Sequence, residues 1–200
     1  MPSTDLVAAL MPVVNAFERL DIAYYIGGSV ASSAYGIARA TMDVDMVAAL
    51  EVQHVNTLVQ QLKDNYYIDG DMILDAINHE SSFNLIHLKT MLKVDIFVLK
   101  NEPYHHTALE RRRKDTLDEV VSPEFYFISA EDIILSKLDW YRLSGEMSRR
   151  QWKDVLGVLK VQGQLLDITY LEQCAAKLEL ADLLERAFVE AGLLNNQKDD

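Results

Sequence analysis

Residues 26–47, IGGSVASSAYGIARATMDVDMV, carry two glycines, a run of small residues and two aspartates between apolar segments. The pattern predicts a buried strand, a short helix and a second strand, over residues 22–26, 30–37 and 43–49. Side chains alternate between the faces of a strand, so we expect Asp43 and Asp45 on one face and apolar neighbours in the core. Two carboxylates this close repel each other unless a cation lies between them. Mg²⁺, held by one or two carboxylates and substrate phosphates, meets that need.

The two glycines upstream are typical of a turn that binds the phosphates of a substrate. Gly27 and Gly28 allow a sharp turn and a close approach of the backbone to a ligand. The N–H groups at the start of the following helix favour an anion, and Ser29 adds a hydroxyl donor. The stretch therefore predicts a phosphate cradle beside a pair of metal-binding carboxylates.

This arrangement resembles the polymerase-beta-like nucleotidyltransferase superfamily. Its signature is Gly28-Ser29, a spacer, Asp43-x-Asp45 and a third carboxylate on a later strand, which Asp95 supplies within residues 91–99, MLKVDIFVL. The resemblance implies a nucleotidyltransferase core that uses Mg²⁺ or Mn²⁺ and an NTP donor. It assigns Asp43, Asp45 and Asp95 as catalytic metal ligands, with Asp95 as a base for the attacking hydroxyl.

The resemblance also implies a set of nucleotide contacts. Ser29 and the Gly27-Gly28 turn would hold the terminal phosphates, whereas Arg39 and Thr41 would contact phosphates or fix the loop. Residues 129–138, SAEDIILSKL, and 149–154, RRQWKD, look like the helices after the core in abortive-infection (AbiEii-type) toxin nucleotidyltransferases. There a lysine and an aspartate face the nucleotide, at the positions of Lys137 and Asp154. The alternative is that Lys137 lies along its helix surface and Asp154 pairs with it or with Arg150.

The order of predicted elements indicates an α/β (α+β) fold. Helices and strands alternate through residues 1–128, which predicts a mixed, mostly antiparallel sheet flanked by helices. A hairpin is expected at residues 81–99, a helix from Pro103 to about residue 114, and a strand at residues 124–128. Residues 129–194 read as a C-terminal helical subdomain, and residues 195–200 as a polar tail.

Charge and composition narrow the function classes. The formal net charge is −12 over 200 residues, which disfavours a general nucleic-acid binder. One basic run, residues 111–114 (RRRK), predicts either a solvated helix end or an RNA or nucleotide contact. No apolar run is long enough to cross a membrane, so no membrane partner is expected. The single cysteine, Cys174, is compatible with a reducing cytoplasm.

The predicted reaction moves a nucleoside monophosphate from an NTP to a hydroxyl of a protein, RNA or small-molecule acceptor. Resemblance to the toxin relatives implies a bacterial toxin–antitoxin or phage-defence system with a cognate partner. Two alternatives stay open. One is a catalytically silent nucleotide-binding or antitoxin-like protein, because fold does not establish chemistry. The other is an aminoglycoside-modifying nucleotidyltransferase, whose pocket would be acidic.

Overall fold

A computed structural model describes residues 3–41, 43–117 and 123–194 of the chain. Its strands form one seven-stranded sheet in the order β3-β4-β5-β2-β1-β7-β6. The strands are β1 (Tyr24–Ile26), β2 (Asp43–Ala48), β3 (Tyr66–Tyr67), β4 (Ser82–His87), β5 (Lys93–Val98), β6 (Arg113–Thr116) and β7 (Glu124–Phe127). The β1–β7 and β2–β5 pairs are parallel and the others antiparallel. The mixed, mostly antiparallel sheet is thus confirmed.

Helices flank the sheet and then occupy the rest of the chain. Within the described residues they are α1 (Ser3–Arg19), α2 (Gly28–Tyr35), α3 (Val55–Leu62), α4 (Gly70–Asn78), α5 (Pro103–Glu110), α6 (Ala130–Leu143), α7 (Arg149–Gln162), α8 (Ile168–Lys177) and α9 (Ala181–Ala191). Short 3₁₀ turns cover Val52–His54 and Gly163–Leu165. No helix in these ranges has the length and apolar character needed to cross a membrane.

The chain divides into two compact units. The first takes the described residues of Met1–Val30 and Ala40–Ile128, and the second those of Ala31–Arg39 and Ser129–Asp200. Our predicted division into residues 1–128 and 129–194 stays a prediction, because compactness alone does not show that either part folds independently. The predicted polar tail, residues 195–200, lies outside the described residues.

The core of the first unit lies against one face of the sheet. Val44 and Met46 on β2 and Val94 and Ile96 on β5 are fully buried, and residues between them on each strand are more exposed. This confirms the predicted alternation. Residues of α1, among them Leu10, Val13 and Phe17, are equally buried. Apolar burial of this kind stabilises the unit and leaves the polar positions of β2 and β5 on the opposite face.

The second unit joins residues 31–39, which are the end of α2 and the segment after it, to the C-terminal helices. A Cβ atom added at Gly36 would lie 2.8 Å from both the Ser32 carbonyl oxygen and the Val158 amide nitrogen. A side chain would not fit without moving backbone. The Gln162 side chain donates a hydrogen bond of 2.8 Å to the Tyr35 carbonyl oxygen. This close approach fixes residues 31–39 against α7.

One predicted helix end is wrong. The helix beginning at Pro103 ends at Glu110, and Arg113–Thr116 form strand β6 instead of continuing it to residue 114. Lys114 pairs with Tyr126 in the antiparallel β6–β7 ladder. The Arg112 guanidinium and the Lys114 ammonium lie 4.7 and 5.3 Å from the centre of the Tyr126 ring. Ladder hydrogen bonds and cation–π contacts from β7 thus override the helical propensity of the basic run.

Candidate active site

Three aspartates lie on the polar face of two neighbouring parallel strands. Asp43 and Asp45 come from β2, Asp95 comes from β5, and Asp45 is directly opposite Asp95 in the ladder. Paired residues of adjacent strands point to the same side of a sheet, so the predicted shared face of these side chains follows from the register. We call Asp43, Asp45 and Asp95 the aspartate triad. The fold brings its members from positions about fifty residues apart onto one small surface.

A lysine that the sequence analysis did not single out lies with the triad. Lys93 is opposite Asp43 in the ladder, and its Nζ lies 2.7 Å from Asp95 Oδ2. The hydrogen bond with Asp95 raises the pKa of Lys93 above its usual value, against the effect of desolvation, and the charges of all three aspartates add to the rise. The signal was present: Lys93 and Asp95 are two residues apart on a strand, so they share a face.

The start of α2 approaches the triad closely at Gly28. Gly28 has φ +54°, and a Cβ atom there would overlap the carboxylate of Asp45. The position therefore requires glycine both for its backbone conformation and for space. A Cβ at Gly27 would meet only the Tyr25 ring, at 3.8 Å, so Gly27 has no such requirement. The Gly27 amide donates a hydrogen bond of 2.8 Å to the Asp45 carbonyl oxygen, which holds the turn beside β2.

Ser29 and Thr41 differ in what surrounds them. Ser29, in the first turn of α2, is buried at 2% exposure. The Thr41 hydroxyl donates to Asp43 Oδ1 at 2.6 Å and also lies 3.2 Å from the Asp43 carbonyl oxygen. The Thr41 hydroxyl therefore orients an aspartate of the triad, and the role in fixing the loop that we expected for Thr41 stays a prediction. Its contact with phosphate stays a prediction, as does that of Ser29.

The triad has the donor chemistry that a divalent ion requires. Carboxylate oxygens are the preferred protein ligands of Mg²⁺, and here a cation, the Lys93 ammonium, already lies at one of them. Within the described ranges, no three Asp, Glu, His or Cys side chains are gathered closely enough to hold a metal ion as they stand. In the type of their donor atoms, three carboxylates on one face of the sheet, the residues fit a divalent metal.

The second unit contains a buried ion cluster of its own. Asp154 on α7 accepts from Arg39 Nε at 3.1 Å through Oδ1 and lies 3.0 Å from Lys137 Nζ through Oδ2. The Asp154 and Lys137 side chains are 8% and 6% exposed. Burial alone would raise the pKa of Asp154, but hydrogen bonds and charges from Arg39 and Lys137 lower it below its ordinary value. The nucleotide contacts predicted for Arg39, Lys137 and Asp154 stay predictions.

Comparison with known proteins gives a structural likeness only. No protein-family model matches the sequence, and no curated protein sequence matches it. The antibiotic-resistance factor ANT(2'')-Ia is similar over 93% of this chain and 98% of its own, with a TM-score of 0.55 and 16% identity. The lincomycin-bound lincosamide adenylyltransferase LnuA covers 76% of this chain and 95% of its own (TM-score 0.45, 16% identity). A nucleotidyltransferase-like protein from Paracoccidioides brasiliensis covers 86% and 90% (TM-score 0.48, 18% identity).

The likeness to ANT(2'')-Ia, which spans nearly all of both chains, shows the fold. ANT(2'')-Ia shares the mixed sheet with its flanking helices, in agreement with the predicted α/β (α+β) fold class. At this level of identity the likeness does not extend to substrate or partner, so the chemistry has to be argued from the residues themselves.

Proposed function

We propose that this protein is a metal-dependent nucleotidyltransferase, which moves a nucleoside monophosphate from an NTP to an acceptor hydroxyl and releases pyrophosphate. The observation that carries the proposal is the aspartate triad, with Asp45 opposite Asp95 and its carboxylate against the Gly28 turn. Without the triad, the fold alone would not support a reaction. A Mg²⁺ or Mn²⁺ ion held by the triad would offset the charge of the triphosphate and of the developing transition state.

The chain's own residues account for binding and proton transfer. The backbone N–H groups at the start of α2, with the Ser29 hydroxyl, hold the terminal phosphates of the donor. The acceptor oxygen bonds to the α-phosphorus while the bond from that phosphorus to the bridging oxygen of the β-phosphate breaks. Asp95 takes the proton of the acceptor hydroxyl as general base. Thr41 keeps the Asp43 carboxylate oriented through its 2.6 Å hydrogen bond.

Two classes of acceptor are candidates, and we favour a small molecule. A cationic small molecule such as an aminoglycoside is favoured by the net charge of −12, since an acidic protein attracts cationic ligands. The similarity in fold to the antibiotic-resistance factor ANT(2'')-Ia supports an antibiotic as the small-molecule acceptor. A protein or RNA acceptor in a toxin–antitoxin system, with a cognate partner, is the second candidate and rests on the AbiEii-type resemblance of residues 129–138 and 149–154.

Label transfer with paired variants tests the reaction. The purified chain is incubated with each α-³²P-labelled NTP, Mg²⁺ or Mn²⁺, and in turn an aminoglycoside panel, tRNA and cell-extract proteins. We expect labelled acceptor and released pyrophosphate, lowered by roughly a hundredfold or more in Asp95→Asn, the scale for a lost general base. Asp64→Asn, at an exposed position, is the matched control and should transfer normally.

Nucleotide binding by calorimetry separates an enzyme from a silent relative. Asp95→Asn should keep most of its affinity for the metal–NTP complex, because Asp43 and Asp45 remain. NTP binding with no release of pyrophosphate from the NTP in the presence of any of these acceptors would identify a nucleotide-binding protein and overturn the enzyme proposal. Absence of metal–NTP binding would overturn the site itself.

A further inference from the structure

The polar face of β2 and β5 carries its own cation. Lys93 comes one residue before the buried Val94 and two before Asp95, and it is opposite Asp43 on the neighbouring strand. Its Nζ lies 2.7 Å from Asp95 Oδ2. One ammonium therefore lies where three carboxylates would otherwise repel one another, and that repulsion would cost stability.

We propose that the Lys93 ammonium is a tethered cation that holds the aspartate triad together in the metal-free protein and competes with the divalent ion for it. This inference rests on the proposed function, since it takes the triad to be the metal site. Lys93 is thereby a residue that governs metal loading, a role that neither the signature motif nor the fold assigns to it.

Competition follows from the donor chemistry. Asp95 Oδ2 accepts a hydrogen bond from Nζ, and the same lone pair is not free to bind a metal. A lysine ammonium and a divalent ion a few ångströms apart also repel each other. An ion that takes this oxygen of Asp95 as a ligand therefore has to displace Nζ. Displacement is feasible because the Lys93 side chain is 47% exposed, so its flexible stem can move the ammonium into solvent.

Tethering has a consequence for the order of binding. The free protein should bind divalent ions weakly, since an ion that takes Asp95 as a ligand has to break the Lys93–Asp95 pair. A metal ion that arrives with a triphosphate brings compensating negative charge, and the displaced ammonium then has phosphate oxygens to approach. The site should therefore take up metal and nucleotide together in preference to metal alone.

Mn²⁺ binding without nucleotide tests this inference by a readout other than activity. The full chain is titrated with Mn²⁺, and free Mn²⁺ is measured by electron paramagnetic resonance. We expect Lys93→Met to bind Mn²⁺ about tenfold more tightly than the unmodified protein, a modest effect because the site is partly solvent-screened. Lys93→Arg, which keeps the charge, and Lys63→Met, at an exposed lysine of the same unit, should bind like the unmodified protein.

The outcomes separate this inference from the proposed function. Equal or weaker Mn²⁺ affinity in Lys93→Met overturns the tethered cation but leaves the metal site in place. No Mn²⁺ binding by any of these proteins, with or without NTP, overturns both. Lys93→Gln serves as the second charge-removing variant if circular dichroism shows that Lys93→Met does not fold, and it carries the same expectation.

Discussion

At the scale of single residues, Gly28 is the position where the fold and the site make the same demand. Its φ of +54° is strained for any other residue, and the Asp45 carboxylate fills the space of a side chain. Gly145 has a similar φ of +65° but nothing within 4 Å of the corresponding Cβ position. The two glycines therefore share a left-handed backbone conformation that would strain any other residue, but only at Gly28 would a side chain also overlap Asp45.

Alanine substitution at the two glycines should separate these effects. We expect Gly145→Ala to cost about 1 kcal/mol from backbone strain and Gly28→Ala to cost about 3 kcal/mol, because overlap with Asp45 adds to the strain. Gly28→Ala should also weaken Mn²⁺ binding, whereas Gly145→Ala should not. Urea unfolding and the Mn²⁺ titration give both quantities. Equal losses of stability would show that Asp45 does not press on this turn.

The residues of the site differ in how far the sequence predicts them. The period of two along a strand is enough to place Asp43 with Asp45, and Lys93 with Asp95. The pairing of Asp45 with Asp95 depends on which strands become neighbours, and the sequence supports that only through the resemblance. Arg39 and Asp154 are 115 residues apart; their ion pair is a product of tertiary folding that no local pattern reports.

At the scale of elements, α6, α7 and the segment after α2 are tied together by Asp154. Neutralising Asp154 removes the carboxylate charge 3.0 Å from the Lys137 ammonium, whose side chain is 6% exposed. We expect Asp154→Asn to lower the free energy of unfolding at pH 7 by about 3 kcal/mol, near the lower end of the cost of breaking a buried pair, because the amide still accepts a hydrogen bond.

The loss of stability in Asp154→Asn should depend on pH, because the pKa of Asp154 differs between the folded and unfolded protein. Folding lowers the pKa of Asp154 below its ordinary value of 3.8. The ionised carboxylate therefore stabilises the protein fully above the unfolded-state pKa, and this stabilisation is lost as the pH falls through the folded-state pKa. The difference between Asp154→Asn and the unmodified protein should therefore be largest above about pH 5 and shrink below pH 4. Urea unfolding across this range measures it.

A surface pair in the same unit provides the control. Asp139 pairs with Arg142 at 2.7 Å, but both side chains are about 40% exposed. Asp139→Asn should change stability by less than about 1 kcal/mol at every pH. If Asp154→Asn cost as much at pH 3 as at pH 7, the ion cluster would not be the source of its effect.

The elements themselves were predicted best where a single period runs through them. Local sequence pattern predicts strands β2 and β5, through their alternating apolar residues, and the run of C-terminal helices. Strand β6 was missed because its residues, RKDT, are all exposed and show no alternation. Its conformation comes from pairing with β7 and from cations over Tyr126, which are contacts made in the folded protein.

At the scale of the whole molecule, the net negative charge of the chain determines in which form a nucleotide binds. A chain of net charge −12 that presents three aspartates on one face repels a triphosphate that arrives without metal. The metal–NTP complex carries less negative charge and brings the ion that the triad requires. Binding energy measured through stability should therefore depend on both components together.

Native-state hydrogen exchange measures the joint effect of metal and NTP on the two strands that carry the triad. Strands β2 and β5 carry the triad, so their amides report on it. At a hundredfold excess over the dissociation constant, the Mg²⁺–NTP complex should raise the free energy of opening of these amides by roughly 2.7 kcal/mol. At matched ionic strength, NTP alone or Mg²⁺ alone should give a smaller increase. Asp45→Asn should abolish the difference, and if NTP alone protected β2 and β5 as fully as the complex, the triad would not bind nucleotide through a metal.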